Sequence, residues 1–277
     1  MRTSTMHRTL MTLGLAAMIG CSDSTGNAAT GTGTVSVRLT DAPIDNVQSA
    51  TIWVSKVYLV GSATDETSRV TISEAKAEYN LLALQNGVTA SLGSAEIPVG
   101  TYGQLRLVVD SAKIVLKAPL TFADGTSQRT LVVPSGEQSG LKVNFALPVQ
   151  VTPGQTVLVA DFDVSRSFVF TGPKSAPTGA QFKPVIHATA QNVAASIAGT
   201  VTPASSNAGL AAVSVATGDT VATALADVTT GAYKIWYLPP GTYTVLAKGT
   251  AVGSTFEALK ANVVVGASQN LTGVNLP

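Results

Sequence analysis

The sequence predicts an all-β protein with two antiparallel β-sandwich domains of the immunoglobulin or prealbumin type. Hydrophobic residues make up 45% of the 277 residues and charged residues only 12%, which supplies ample core material and little for solvated helices. The chain is rich in Thr, Val, Ser, Ala and Gly, and its short hydrophobic runs end at Gly, Pro, Asn or Asp. Such runs indicate strands joined by turns. They recur roughly every 8–15 residues, a spacing typical of a sandwich.

The N-terminus has the pattern of a bacterial lipoprotein signal, predicted over residues 1–21. Arg2 and Arg8 precede an apolar run, Leu10–Ile19, which is too short to span a bilayer, since a spanning helix takes about 20 residues. Gly20 and Cys21 follow, and Met18 to Cys21 resembles a lipobox. The resemblance implies cleavage before Cys21 and a lipid on that residue, which would hold the protein on a membrane.

Residues 22–34 are predicted to be a flexible tether, because they are small and polar and have no hydrophobic periodicity. Ser22 follows Cys21 where an inner-membrane retention signal would have Asp, which favours the outer membrane over the inner one. A net charge of +1 without a block of basic residues argues against a nucleic-acid partner.

The first domain is predicted over residues 35–192. Its strands alternate apolar and polar residues, and one short helix is expected near 75–86, ending at Asn86-Gly87. Two closely spaced strands, 104–110 and 111–116, predict a hairpin. Asp124-Gly125 predicts a tight turn. The other strands are expected at 35–40, 51–60, 129–133, 141–147, 156–164 and 184–191.

A set of short motifs in this domain resembles the domain of unknown function 4382 family, which is found in envelope lipoproteins. The resemblance covers roughly 150 residues and implies a secreted β domain without established activity or catalytic residues. The motifs, in order, are Thr40-Asp41-Ala42-Pro43, Leu81-Leu82-Ala83-Leu84, Pro98-x-Gly100-Thr101-Tyr102, Arg106-Leu107, Pro134-Ser135-Gly136, Ser139-Gly140-Leu141-Lys142, Asp161-Phe162-Asp163 and Lys183-Pro184-Val185-Ile186.

The second domain is predicted over residues 194–277. Its strands surround a Pro239-Pro240-Gly241 turn that leads into an alternating Tyr/Val strand. The segment resembles the carboxypeptidase-regulatory-like domains, seven-stranded sandwiches of the carbohydrate-binding-like fold group. It departs from that pattern in having Thr229-Thr230 where an Asp usually precedes Gly231. Residues 98–102 of the first domain echo residues 240–243 here, through kinship or because Pro-Gly turns suit sandwich corners.

Asp161 and Asp163 are the main acidic candidates for a site. Two residues apart on a strand, they point to one face, with Phe162 pointing to the other. With Asp41 they are candidate metal ligands for calcium, which takes six to eight oxygens. The alternative is that the acids cap a strand end by bonding to neighbouring turn amides.

Ser139 and Lys142 match the Ser-x-x-Lys spacing of acyl-transfer enzymes. Gly140 and the strand that follows argue against the helix which that chemistry needs, and Ser73 and Lys76 show the same spacing by chance. Both remain candidate ligand-binding residues, and Lys142 is a candidate ion-pair partner of Asp161 or Asp163. His187 is predicted to be a half-buried strand residue whose hydrogen bonds are satisfied. No catalytic residues are therefore predicted.

Trp236 and Tyr243 are candidates for a sugar-stacking face in the second domain, although such aromatics also fill small sandwich cores. The sequence as a whole predicts a lipid-anchored envelope protein that acts as a binding or structural module, with carbohydrate as a candidate ligand of the second domain. A polysaccharide or another envelope protein is the expected partner, and neither a cofactor nor catalysis is expected. The alternative is a calcium-dependent or enzymatic protein that uses Asp41, Asp161 and Asp163.

Overall fold

The computed structural model describes residue 1 and residues 31–42, 46–61, 68–133, 140–251 and 254–277. Strands account for 64% of the structure and helical turns for 5%, so the prediction of an all-β fold is confirmed. The buried apolar side chains form two large clusters, one drawn from residues 35–188 and one from residues 195–276. Within the described residues, no helix is long and apolar enough to cross a membrane.

Twelve strands and two short helical turns make up the described part of the first domain. The strands are β1 Thr32–Ala42, β2 Val47–Val60, β3 Arg69–Ser73, β4 Ala77–Asn80, β5 Ala90–Pro98, β6 Gly100–Leu116, β7 Gln128–Leu131, β8 Leu141–Val151, β9 Gln155–Asp163, β10 Phe168–Thr171, β11 Gly179–Phe182 and β12 Ile186–Ala190. The helical turns are the 3-10 turn η1, Leu81–Leu84, and the α-helical turn α1, Val164–Ser167.

Ten of these strands form one sheet with the order β3-β2-β6-β8-β12-β9-β1-β5, in which β4 also pairs with β2 and β7 with β6. The sheet folds over, so that its two end strands touch: a Cβ on Gly93 of β5 would lie 2.5 Å from Cβ of Ser73 of β3. Most pairs are antiparallel, as predicted. However, β1 runs parallel to β9 and β12 runs parallel to β8, which gives the sheet a mixed character.

The predicted hairpin at residues 104–116 is wrong, because β6 runs without a turn from Gly100 to Leu116. Asp110 and Ser111 stand where the turn was expected, and neither is a residue that forces one. The partner strand β2 follows β6 along its length and absorbs the irregularity as register shifts near Val54. Long-range pairing with β2 therefore decides the course of this segment.

The predicted short helix near 75–86 is present but covers only η1, Leu81–Leu84. Residues 77–80 form β4 instead, because this segment pairs with residues 51–54 of β2. Leu81 and Leu84 are buried in the core, and Asn86 and Gly87 both have positive φ. Gln85, in an extended conformation, ends η1, and the Asn86-Gly87 turn that the sequence predicts follows it directly.

Seven strands and a 3-10 turn form the described part of the second domain, in a three-stranded sheet (β16-β13-β19) and a four-stranded sheet (β15-β14-β17-β18). Seven is the strand number that the resemblance implied. Their bounds are β13 Ala195–Thr200, η2 Ala204–Ser206, β14 Gly209–Ser214, β15 Thr220–Leu225, β16 Ala232–Leu238, β17 Gly241–Ala251, β18 Ser254–Val265 and β19 Asn270–Leu271.

The turn before Gly231 is held by an acid, Asp227. The Asp227 carboxylate Oδ1 accepts hydrogen bonds from the backbone N–H groups of Thr229 (3.0 Å) and Thr230 (2.7 Å). These bonds lower the pKa of Asp227. Gly231 closes the turn with φ of 70°, where a Cβ would come within 2.2 Å of the Val201 carbonyl oxygen. Asp227 therefore holds the turn in which Gly231 needs its positive φ.

The two Pro-Gly-Thr-Tyr segments form the same local structure. The hydroxyl of Tyr102 donates to the carbonyl of Pro98 (2.9 Å), and the hydroxyl of Tyr243 donates to the carbonyl of Pro239 (2.6 Å). Each is a tyrosine corner, in which a strand tyrosine bonds back to the backbone a few residues upstream. Burial raises the pKa of Tyr243 to about 12. Sandwich geometry accounts for both segments without kinship between the domains.

Replacing Tyr243 with Phe is expected to lower the free energy of unfolding by about 1–3 kcal/mol, because the Pro239 carbonyl loses its partner. Tyr102→Phe, the matched change in the first domain, should cost a similar amount there. Urea unfolding followed by circular dichroism measures both. An unchanged unfolding midpoint in Tyr243→Phe would show that the corner does not stabilise the domain.

Candidate functional site

The acidic motif lies at the centre of a row that crosses three strands. Asp161 on β9 is opposite Thr40 of β1 on one side and opposite His187 of β12 on the other. Directly opposed residues in a sheet point to the same face, so the three side chains share one side. Phe162 points the other way, into the core, where its ring stacks on Phe182 with centroids 5.9 Å apart.

Asp163 and Asp41 hold the start of α1. The Asp163 carboxylate Oδ1 accepts from the backbone N–H of Arg166 (3.1 Å) and from the Ser165 hydroxyl (2.6 Å). Asp41 Oδ1 accepts from the backbone N–H of Val164 (3.3 Å). Acids at the first turn satisfy amides that have no partner inside a helix. Asp163 therefore acts as the cap that the sequence predicted, for Asp161 and Asp163, as the alternative to metal binding. Asp41 acts in the same way, although capping was not predicted for it.

Asp161 has a different environment. It is only 9% exposed, and burial, with a further contribution from the charge of Asp163, raises its pKa to about 7. The carboxyl thus gains a proton at a pH where an exposed Asp is fully ionised. A buried acid with a strongly shifted pKa, facing a cleft, marks a candidate functional site.

His187 is half-buried beside this acid, and its burial lowers its pKa despite the opposing charge of Asp163. Its Nε2 atom has no hydrogen-bond partner among the described residues. The charge of Asp219 and a hydrogen bond with the Thr220 backbone, both from the second domain, also oppose the lowering of this pKa. The prediction of a half-buried strand histidine therefore agrees with the structure, whereas the expectation that its hydrogen bonds are satisfied does not hold at Nε2 within the described part of the chain.

The two domains meet at the turn formed by Asn86 and Gly87. The Tyr237 hydroxyl donates to the carbonyl of Gly87 (3.0 Å), and the ring of Trp236 lies so close that a Cβ on Gly87 would be 3.1 Å from it. Tyr237 has φ of 55°, a backbone conformation that is uncommon for a bulky residue. On the other side of the acidic row, Arg166 Nη1 donates to the carbonyl of Thr220 (3.2 Å).

These contacts enclose a small space, here called the junction cavity. The volume open to the centre of a water molecule is about 10 Å³, which is roughly what one water requires. The cavity brings the predicted residues Asp41, Asp161 and Trp236 together. It is lined by Thr40, Asp41, Asn86, Gly87, Asp161, Thr223, Ala224, Lys234, Trp236 and Tyr237.

Comparison with known proteins places the first domain in a family. Residues 32–184, more than half of the chain, match the family described as Domain of unknown function (DUF4382). The chain belongs to this family. The DUF4382 domain contains Asp41, Asp161, Asp163 and the Asn86-Gly87 turn, whereas His187 and the second domain lie beyond the matched residues.

Three solved structures show weak similarity to the whole chain. The TIE protein of Bacillus anthracis is 9% identical, with 88% of this chain covered and a TM-score of 0.19; the chain spans about a third (34%) of that protein. A candidate cell adhesion protein from Bacteroides fragilis is 10% identical, with 83% of this chain and 80% of that one covered and a TM-score of 0.20. A candidate adhesin from Bacteroides ovatus is 11% identical, with 86% and 87% covered and a TM-score of 0.17.

Similarity at this level assigns neither a fold nor a function. No curated protein matches the chain.

The sugar-stacking face predicted from Trp236 and Tyr243 is wrong. Tyr243 is 3% exposed and belongs to the core of the second domain, because β17 turns alternate residues inward and the corner hydrogen bond fixes its hydroxyl. Trp236 points out of the same domain and packs on Gly87 of the DUF4382 domain. The two rings therefore have different environments and share no face.

The remaining predicted site residues are spread apart. Lys142 lies on β8 opposite Arg106, in a strand rather than a helix, so the geometry of the Ser-x-x-Lys enzymes does not form. Ser139 and Cys21 lie outside the described residues. The described part of the chain contains no group of three or more His, Cys, Asp or Glu side chains that could hold a metal. Calcium binding stays a prediction.

The contribution of the second domain to this site was not predicted from the sequence. Lys234 lies with its Nζ atom 3.5 Å from the ring centre of Trp236, and the Thr223 hydroxyl lines the junction cavity. Neither residue belongs to a motif. The alternating pattern of β16, in which Tyr233 and Ile235 point inward and Lys234 and Trp236 outward, was the available signal that Trp236 is not a core residue.

Proposed function

We propose that the chain is a lipid-anchored, two-domain module of the bacterial cell envelope, which binds or supports another envelope component and does not catalyse a reaction. The anchor is the lipid on Cys21, on the outer membrane in preference to the inner one. The second domain is a carboxypeptidase-regulatory-like module appended to the DUF4382 domain.

The course of β1 is the observation that carries this proposal. The strand begins at Thr32, within the predicted tether, whose last three residues (32–34) are therefore part of β1. At its other end it places Thr40 and Asp41 at the junction cavity. At about 3.3 Å per residue, these ends are roughly 25–30 Å apart. A chain held at Cys21 would therefore present the junction of its two domains away from the membrane.

The roles of the candidate residues favour a binding or structural protein over an enzyme. Asp163 and Asp41 cap α1, Tyr243 holds a corner, and Lys142 lies on a strand. Trp236 and Tyr237 dock the second domain on the first. These side chains are used to fix the shape of the protein, as a display module requires.

Cys21→Ala is expected to release the full chain from membranes, because the acyl chains supply the attachment. The measurement is membrane fractionation after a high-salt wash, together with labelling by an alkyne analogue of palmitate. Ser22→Ala is the matched control and should remain attached and labelled. Membrane attachment of Cys21→Ala at the wild-type level would contradict the anchor and leave a secreted protein as the alternative.

A further inference from the structure

The junction cavity has a buried hydroxyl and a buried carboxyl on its walls. The hydroxyl oxygen of Thr223 is buried with no hydrogen-bond partner among the described residues. Asp161, which is 9% exposed, lines the same cavity. Polar groups that are withdrawn from water cost free energy unless they are paired. A group that enters the cavity can therefore bond to both.

The charge around Asp161 indicates the sign of such a group. Asp163, another acid, is the charge that acts on it. The ammonium of Lys234, which also lines the cavity, lies over the ring of Trp236. A cation beside Asp161 would supply the buried carboxylate with a counter-charge. With one carboxyl and one hydroxyl, the cavity suits a singly charged donor better than calcium, which takes six to eight oxygen ligands.

The size and walls of the cavity narrow the class of cation. The space admits one group of about the size of water, which is also the size of an –NH₃⁺ group. Trp236 and Tyr237 form an aromatic side, and aromatic faces attract ammonium groups. The ring of Trp236 already has the ammonium of Lys234 at 3.5 Å. Asn86, which is exposed, lies on the rim, where the rest of a ligand would emerge.

We propose that the junction cavity is a binding site for a primary ammonium group, with Asp161 as the counter-charge and the Thr223 hydroxyl as a second acceptor. The ammonium belongs either to a small amine or to a lysine side chain of a partner. Because the lining residues come from both domains, the ligand binds only while the domains are docked. Binding therefore stabilises the docked arrangement.

Methylammonium chloride tests this, with potassium chloride and tetramethylammonium chloride at equal ionic strength as controls. At 100 times its dissociation constant, a ligand favours the folded state roughly 100-fold. For domains of this size, that factor raises the melting temperature by about 5 °C or more. We expect the rise with methylammonium alone, since four methyl groups exceed the cavity and potassium donates no hydrogen bond. Equal rises with all three salts, or none with methylammonium, would overturn the proposal.

Asp161→Asn removes the counter-charge and should abolish the methylammonium effect, whereas Glu257→Gln, an exposed acid of β18, should keep it. N-acetyl-Gly-Lys-Gly, whose only ammonium group is on the lysine side chain, is added in parallel to separate the two sources. A shift with the tripeptide as well indicates that a lysine side chain fits, and a shift with methylammonium alone indicates a small amine. A methylammonium shift that survives in Asp161→Asn would remove Asp161 from the site and refute the assignment.

Tryptophan fluorescence gives a second reading that does not depend on stability. The chain has two tryptophans, so Trp53→Phe leaves Trp236, which lines the cavity, as the reporter. Methylammonium should change its emission along a saturable curve, and Thr223→Val should weaken the apparent affinity several-fold. A non-saturable change, or one that is equal with tetramethylammonium, would contradict binding in the cavity.

Discussion

Asp161→Asn is expected to stabilise the protein at pH 8 by up to about 4 kcal/mol and to leave its stability at pH 3.5 nearly unchanged. The Asp161 carboxyl has a pKa of about 7 in the folded protein, against 3.8 without the fold. Between these values the folded state binds more protons than the unfolded state, so the free energy of unfolding falls as the pH rises. Each pH unit in this window corresponds to about 1.4 kcal/mol. The Asn side chain is neutral like the protonated acid, so the variant does not lose unfolding free energy as the pH rises.

The measurement is the difference in unfolding free energy between Asp161→Asn and the wild type, from urea titrations between pH 3.5 and pH 8. Burial lowers the pKa of His187, which acts in the opposite direction at acid pH. That effect is common to both proteins and largely cancels in the difference.

Asp124→Asn provides a control of opposite sign. Its exposed carboxylate bonds to Thr126, which lowers its pKa to about 2, so any stabilisation exists above the unfolded value and is lost as the pH falls. A pH-independent difference for Asp161→Asn would show that this acid is ionised in the fold at neutral pH.

Gly87→Ala is expected to destabilise the protein by about 2–3 kcal/mol and to loosen the docking of the second domain. Gly87 has φ of 83°, and a Cβ there would be 3.1 Å from the ring of Trp236. An alanine at positive φ costs about 1–2 kcal/mol by itself, and the displaced indole ring loses further packing.

Gly125→Ala is the matched control, because Gly125 has nearly the same φ, 79°, but nothing within 4 Å of an added Cβ. It should show the backbone cost alone. Limited proteolysis of the segment between the domains, residues 191–194, reports docking and should accelerate only in Gly87→Ala. Equal effects of the two changes on both stability and proteolysis would show that the contact with Trp236 does not hold the domains together.

Features that depend on nearby residues could be predicted from the sequence. Alternation identified most strands, and the Asn86-Gly87 and Asp124-Gly125 turns form where their residue chemistry places them. The capping alternative, predicted for Asp161 and Asp163, agrees with the structure at Asp163, since a short acid bonds to amides within a few residues. Capping by Asp41 acts across a strand pair and was not predicted. The motifs of the first domain were enough to indicate its family.

The prediction of a sugar-stacking face was wrong because it depended on which residues point inward in the folded domain. Trp236 and Tyr243 are close in sequence and both aromatic, but Tyr243 fills the core and Trp236 faces the other domain. The prediction of a hairpin was wrong for a related reason, since pairing with β2 keeps β6 extended. In both cases, partners that are distant in the chain outweigh local pattern.

The sequence by itself determined that this protein is all-β, where most of its turns fall, and that Asp161-Phe162-Asp163 presents two acids to one side of a strand. Only the tertiary structure decided that the acids have different roles and that Asp161 lies beneath a second domain. The parallel pairing of β1 with β9 places Thr40 beside Asp161, and Tyr237 reaches a carbonyl 150 residues away. Neighbouring residues decide where strands and turns form, but contacts between distant segments decide which acid is buried.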